Sequence, residues 1–257
     1  MTGASRGIGA ATAKRLAAEG AAVCLVGRDG TRLEAVAARC REAGAAAAAA
    51  EILPLDVTAK DAGERISDVC RERFSRLDVL VNNAGTSAVT SLDELTDADW
   101  QAQWELHVMA PMRLMRAAVP VMAAAGWGRV VNVSSSSGKR PSQRNIAYSV
   151  TKAAELSLSR AFADRFAADG VLINSVTPGP VASELWLGPG GMADQVAESK
   201  GISREEVLQQ TAAGVPVGRL GEEAEIAAVI AFLCSEAASF VAGSAWSVDG
   251  GVVPGII

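Results

Sequence analysis

The chain has 257 residues, enough for one α/β domain of ordinary size with a full core, and its 49% hydrophobic against 21% charged residues exclude a solvated, unfolded chain. Lys and Arg number 24 against 29 Asp and Glu, a net charge of −5, which argues against nucleic acid or an anionic membrane as main partner because phosphate surfaces call for a basic face. One histidine, His107, and four cysteines without paired spacing leave almost nothing to build a zinc site, and exclude any Ser-His-Asp triad that does not use His107.

Short apolar strands and helical patterns alternate from end to end. The chain opens on Thr2-Gly3-Ala4-Ser5-Arg6-Gly7-Ile8-Gly9, followed at once by a helical stretch from Ala10 to Glu19 that Gly20 closes. Glycines in such a loop let backbone N–H groups approach a pyrophosphate at a helix N-terminus, where the dipole favours negative charge. A strand over Ala21–Val26 leads to Gly27-Arg28, the place where NAD-binding folds commonly put an acid for the ribose hydroxyls. Arg28 offers a 2′-phosphate a planar cation instead, and Arg6 is placed to reach the same charge, so NADPH is expected over NADH.

Leu33, Val36, Ala37 and Cys40 mark the next helix face, and Gly44 is read as its stop, with Ala45–Ala50 as a turn leading into a strand over Ile52–Leu55. Ile66, Val69 and Cys70 mark another helix before a strand over Leu77–Val81, and Thr96 with Asp99 spells a capping box ahead of Trp100 and Trp104. Strands over Arg129–Ser134 and Val171–Val176 complete the pattern. Near-continuous apolar strands between helices predict a doubly wound, Rossmann-type parallel sheet in a single domain, residues 1–257. The looser stretch from Ser183 to Gly214 reads as a substrate lid.

Tyr148 is the sole tyrosine, and Lys152 lies four residues on, which puts both on one helix face. An ammonium beside a phenol favours the phenolate and brings a group of ordinary pKa about 10 toward useful acid/base range. Ser135 stands at the C-terminal end of a strand, where open α/β sheets place their ligands, with its hydroxyl available to the same substrate oxygen.

Together, Thr2–Gly9, Asn82-Asn83-Ala84-Gly85, Ser135, Tyr148-x-x-x-Lys152 and Asn174-Ser175-Val176-Thr177-Pro178-Gly179-Pro180 resemble the classical short-chain dehydrogenases/reductases, in particular their 3-oxoacyl carrier-protein reductase branch. The resemblance implies seven parallel strands, Tyr148 as general acid/base, Lys152 on the nicotinamide ribose, and Ser135 polarising a carbonyl. It also implies Asp56 and Val57 at the adenine, Asn83 at the ribose side, and Val181 and Ser183 at the carboxamide. The full set of cofactor contacts expected is Gly3, Ser5, Arg6, Gly7, Ile8, Gly9, Arg28, Asp56, Val57, Asn83, Ala84, Gly85, Tyr148, Lys152, Pro178, Gly179, Val181 and Ser183. Val248-Asp249-Gly250-Gly251 resembles the family's last strand, and a homotetramer is the default assembly.

Two features depart from the family. An apolar strand usually precedes the glycine loop, and none stands before Thr2; it would be central, so its neighbours are expected to lack partners and the chain to fold poorly. A misassigned translation start at a GTG codon is the expected cause, to be checked as an in-frame apolar segment upstream in the gene. His107 stands where the family usually has a catalytic asparagine at a helix kink; it is either a packed histidine or a proton relay of near-neutral pKa.

Lys139-Arg140-Pro141-Ser142-Gln143-Arg144-Asn145 should line a polar, basic pocket mouth, and Trp186, Leu187 and Met192 an apolar lid. Asp169 occupies a place near the end of the Tyr148 helix where carrier-protein reductases often have arginine, and an acid there would repel an acidic carrier. The reading is an NADPH-dependent enzyme that reduces a small-molecule ketone of 3-oxoacyl or polyketide-like type, or oxidises the alcohol in reverse, with no metal. The alternative is a catalytically weak NADP-binding scaffold or sensor. Cys24, Cys40, Cys70 and Cys234 in helix or strand patterns, no leader, and no apolar run near the roughly 18 residues of a membrane span point to the cytoplasm.

Overall fold

The structure is a computed structural model, which describes residues 1–44 and 49–255. Six parallel strands form among the described residues: β1 (Val23–Gly27), β2 (Ala50–Pro54), β3 (Val79–Asn82), β4 (Gly128–Val133), β5 (Val171–Pro178) and β6 (Ala245–Val248). β1, β3, β4 and β5 fall on apolar runs and are almost wholly buried, while β2 is mostly half-buried and β6 largely exposed. Every residue of β1 and β4 is buried. β1 pairs with β2, while β3, β4, β5 and β6 follow one another in a second group.

Residues Met1–Ala4 run along the seam between the groups. The Val26 N–H donates to the Met1 carbonyl at 2.9 Å, the Thr2 N–H to Val81 O at 3.1 Å, and the Ala4 N–H to Val26 O at 3.1 Å. The expected seven-strand sheet is thus six strands and a short bridging segment. Gly3, at φ +61°, turns the backbone out of the sheet directly after Thr2, so no ladder develops there. Val26 and Val81, expected to lack neighbours, both find main-chain partners in this segment.

Helices cover both faces. α1 (Gly7–Ala18), α2 (Gly30–Ala43) and α11 (Glu223–Cys234) lie on one side, and α3 (Ala62–Phe74), α5 (Ala110–Ala124) and α7 (Ile146–Phe166) on the other. The periodic residues of α2, Leu33, Val36, Ala37 and Cys40, are all buried, as are Ile66 and Cys70 of α3, with Val69 half-buried. Gly44 caps α2, Ala50 opens β2, and residues 45–48 of the alanine run lie outside the described residues. The capping box at Thr96 and Asp99 starts α4 (Asp97–Trp104). All four cysteines are buried thiols.

The last strand falls earlier than expected. β6 ends at Val248, and Gly250 and Gly251 adopt φ of +63° and +90° in a turn that the Asp249 carboxylate ties down by accepting from the Gly251 and Val253 N–H groups. The 183–214 stretch folds into α8 (Glu184–Leu187), α9 (Met192–Lys200) and α10 (Arg204–Ala213), packed around Ala193, Val196 and Val207. Gln195 of α9 accepts the Val89 N–H at 2.8 Å, which fastens this segment to the loop after β3. α6 (Ser136–Lys139) is a single turn following β4.

Candidate active site

Chain order reverses across the seam, outward to β2 on one side and onward to β3 on the other. Doubly wound sheets open a ligand crevice at that switch point, beyond the carboxyl ends of the strands. A cleft of about 970 Å³ opens there. It brings together Ser135, Tyr148, Lys152 and every expected cofactor contact except Gly9. His107 also lies outside its lining.

Gly9 acts behind the wall. A Cβ at this position would fall 2.1 Å from the Gly3 carbonyl oxygen, so only glycine lets α1 pack against the loop it follows. Gly9→Ala is expected to push the loop outward, costing about 1–3 kcal/mol of stability and weakening cofactor binding together. Paired thermal melts and cofactor titrations would check this; an unchanged loop would leave both as they are.

One end of the cleft suits a phosphorylated, anionic group. α1 begins at Gly7 with no side-chain cap and no acid in its first turn, which leaves its N–H groups free for pyrophosphate oxygens. Arg28 is exposed at the cleft wall and makes no hydrogen bond or ion pair among the described residues. Arg6 is committed differently. Its Nη1 lies 2.7 Å from Glu184 Oε1, which also receives Arg32 Nη1 at 2.9 Å, and the two guanidiniums, Arg32 first, hold the Glu184 carboxyl below its usual range. Two of these partners, Arg32 and Glu184, escaped the sequence reading because they are 152 residues apart. Asp56, on the cleft wall, accepts the Thr58 N–H and hydroxyl on one oxygen, which keeps its carboxyl low.

The other end holds the hydroxyl groups. The Ser135 backbone is extended and its Oγ accepts the Ser137 N–H at 3.1 Å, which leaves the hydroxyl proton to be donated into the cleft. Tyr148 sits in the first turn of α7, its Oη without a protein partner among the described residues. Lys152, one turn on, has its ammonium 5.8 Å from the centre of the Tyr148 ring. That ammonium donates to Val133 O at 2.9 Å and to Glu155 Oε2 at 2.8 Å. Glu155 was missed by the sequence reading, although its i+3 spacing from Lys152 on one helix was a usable signal.

Behind Tyr148 the chain makes one wide turn, Glu105–Met109, in which the Ala110 N–H reaches back five residues to Glu105 O. His107 on this turn is fully buried, edge-on to the Tyr148 ring at 5.2 Å between centres. Its Nε2 accepts the Thr86 N–H at 3.3 Å, so its proton sits on Nδ1, 3.2 Å from Thr151 Oγ1, which in turn donates to Tyr148 O. Burial, reinforced by the Lys152 charge, pushes the imidazole down to about 2. That burial disfavours the charged form a near-neutral relay would need, and the two ring nitrogens tie the loop after β3 to α7 through Thr86 and Thr151.

That neutrality has a stability signature. The unfolded chain protonates His107 near pH 6.5 and the folded chain does not until about 2, so between these values the unfolded state binds more protons. The histidine's contribution is intact above pH 6.5 and falls away on acidification by about 1.4 kcal/mol per pH unit. His107→Asn is expected to spare about 2 kcal/mol of the loss seen near pH 5. Denaturant melts at neutral and mildly acid pH would detect it; identical acid sensitivity in the two proteins would contradict it.

Among the described residues no group of His, Cys, Asp or Glu is arranged to hold a metal, and no helix is long and apolar enough to cross a membrane. Comparison with known proteins decides the family. The family model described as Enoyl-(Acyl carrier protein) reductase matches residues 3–253. The chain belongs to the short-chain dehydrogenases/reductases.

The cis-4-hydroxycyclohexanecarboxylate dehydrogenase of Sinomonas cyclohexanicum is 38% identical over 98% of this chain and 94% of its own length. A 3-oxoacyl-[acyl-carrier-protein] reductase of Synechocystis is 32% identical over 98% of this chain and 95% of its own. The crystal structure of L-sorbose reductase from Gluconobacter frateurii, complexed with NADPH and L-sorbose, superposes with a TM-score of 0.92 at 34% identity, covering 100% of this chain and 96% of that one. As a short-chain dehydrogenase/reductase the chain is an NAD(P)-dependent oxidoreductase acting on alcohol and ketone groups. The residues present fit that cofactor: an uncapped helix start, a loop with glycines at positive φ at positions 3 and 7, and an arginine without a partner among the described residues line its end of the cleft.

Proposed function

We propose that this short-chain dehydrogenase/reductase is a cytoplasmic, NADPH-dependent ketone reductase, assembled as a homotetramer, that acts on a small carbonyl compound with one polar or anionic part and one apolar part. The observation that carries the reading is one continuous cleft lined both by Arg28, unpaired among the described residues, and by Ser135 and Tyr148. When bound, NADPH supplies the hydride, with Arg28 on the 2′-phosphate and the α1 N-terminus on the pyrophosphate. Ser135 donates its free hydroxyl proton as a hydrogen bond to the substrate oxygen, and Tyr148 Oη delivers a proton to that oxygen as negative charge develops on it. Lys152 favours the ionised phenol that results.

The substrate class follows from the walls beyond Ser135. Arg140, Ser142, Arg144 and Asn145 line the mouth, whereas Lys139 turns away to Ala245 O and Ser247, and Gln143 lies outside the lining. Opposite stand Leu185, Trp186 and Met192 of the 183–214 segment, which we assign as the lid; Leu187 does not reach the cleft. Two arginines facing an apolar wall favour a keto compound carrying a carboxylate or thioester-like polar end. Asp169 bears less on carrier proteins than its charge alone implies, because Arg165 lies 3.2 Å away and offsets it.

The test is NADPH consumption with a panel of cyclic keto acids, β-keto esters and keto sugars. Stoichiometric alcohol formation supports the reading. Tight NADPH binding with no turnover on any member supports the scaffold alternative instead.

A further inference from the structure

Lys152 and Glu155 form an ion pair removed from water, the two residues being 3% and 2% exposed, with Nζ and Oε2 at 2.8 Å. Burying such a pair adds little net stability over apolar residues of the same volume, so a carboxylate at this place calls for a role other than holding the helix together. It lies one turn beyond the ammonium on the same face of α7 as Tyr148, and the Val133 carbonyl holds the ammonium from the other side at 2.9 Å. The phenol therefore faces a lysine that already has a counter-charge.

We propose that Glu155 is a positioning residue for the reaction: its carboxylate anchors the Lys152 ammonium and offsets its charge, and thereby sets the pH at which the Tyr148–Lys152 pair gives up its first proton. The inference rests on Tyr148 being the acid/base group. Burial alone would pull Lys152 down, and the neighbouring Glu155 and Tyr148 reverse the direction, so the ammonium stays charged where water cannot reach it.

Among the described residues, the other titratable groups on the elements packed against α7 are neutral, paired elsewhere or exposed. On the wide turn, His107 is neutral and Glu105 is engaged by Arg113 of α5. Lys139 of α6 is bonded to Ala245 O and Ser247, and Arg129 of β4 to Gly128 O and Glu236. In α4, Asp99 caps Thr96 and Asp97 is exposed, while Arg116 of α5 is exposed. β5 brings no titratable side chain, and the remaining charges of α7 and the turn after it, Arg160 with Asp164 and Arg165 with Asp169, pair at the surface.

The consequence has a definite sign. With phenol and ammonium both protonated, removing the carboxylate leaves an uncompensated buried cation. Loss of a proton from either member relieves it, so the first titration step of the pair moves to lower pH whichever group releases the proton.

Glu155→Gln keeps the shape and removes the charge. It is expected to shift the acid limb of NADP-dependent alcohol oxidation downward by about one pH unit or more, while Glu155→Asp restores most of the original profile. A second readout needs no turnover. Tyr148 is the chain's only tyrosine, so ultraviolet absorbance of the tyrosinate follows this one residue, and its first step should move the same way.

Superimposable titrations for the parent and Glu155→Gln would overturn the proposal. Should the glutamine variant fail to fold, Glu155→Leu is titrated instead, with the same shift expected and the same null result decisive. Absence of turnover in the parent would count against the proposed reaction, while the tyrosinate titration would still decide the role of Glu155.

Discussion

Tyr148→Phe is expected to lower kcat for ketone reduction by about 10²–10⁴-fold, the usual worth of a positioned acid/base group, with NADPH affinity nearly unchanged. The structure makes this a clean substitution. Phenylalanine keeps the ring that meets His107 edge-on at 5.2 Å, and the backbone carbonyl that accepts Thr151 Oγ1 is untouched. Only Oη is lost, and Oη has no protein partner among the described residues, so no buried group is stranded. Single-turnover rates beside a cofactor titration would check it; a variant that turns over at the parental rate would remove the phenol from the chemistry.

Arg28→Ala is expected to weaken NADPH binding by about 10–100-fold and leave NADH nearly unaffected, because a charge-assisted hydrogen bond to phosphate contributes about 1.5–3 kcal/mol. Arg28→Asp should go further and reverse the preference by placing a carboxylate against the phosphate and offering NADH's ribose hydroxyls an acceptor. The two arginines singled out in the sequence are not equivalent. Arg6 already shares Glu184 with Arg32, so part of its charge is spoken for, and Arg6→Ala should cost less than Arg28→Ala. Dissociation constants for both cofactors across the three variants would test the order. An unchanged ratio in Arg28→Asp would contradict the assignment of the 2′-phosphate end.

What could be read from the sequence, and what could not, divides along a physical line. Helix faces such as Leu33–Val36–Ala37–Cys40, the Thr96–Asp99 box and the strands β1, β3, β4 and β5 follow from local periodicity, with strand ends shifted by a residue or two, whereas β2 begins earlier than its apolar run and is mostly half-buried. Tyr148 and Lys152 share a helix face for the same reason. The last strand was displaced because Val248-Asp249-Gly250-Gly251 is half turn, and the two glycines need positive φ that a strand does not supply.

Long-range electrostatics escaped the sequence. That Arg6 is held by Glu184 and that burial pushes His107 down are consequences of packing between distant segments, whereas the Lys152–Glu155 pair is local in sequence and only its removal from water depends on the fold. Composition and spacing carry no measure of solvation, so a packed histidine and a relay of near-neutral pKa stood side by side in the sequence. Gly9 is the same lesson in steric form. It belongs to the loop's signature yet serves α1 packing, since the space it leaves is filled by the Gly3 carbonyl.

The most direct measurement is a crystal structure of the protein with NADP and a ketone from the panel that it reduces. The account predicts the carbonyl oxygen within hydrogen-bond reach of both Tyr148 Oη and Ser135 Oγ, with the guanidinium of Arg28 on the 2′-phosphate. A ketone bound with its oxygen turned away from these two hydroxyls, in a complex that still reacts, would contradict it.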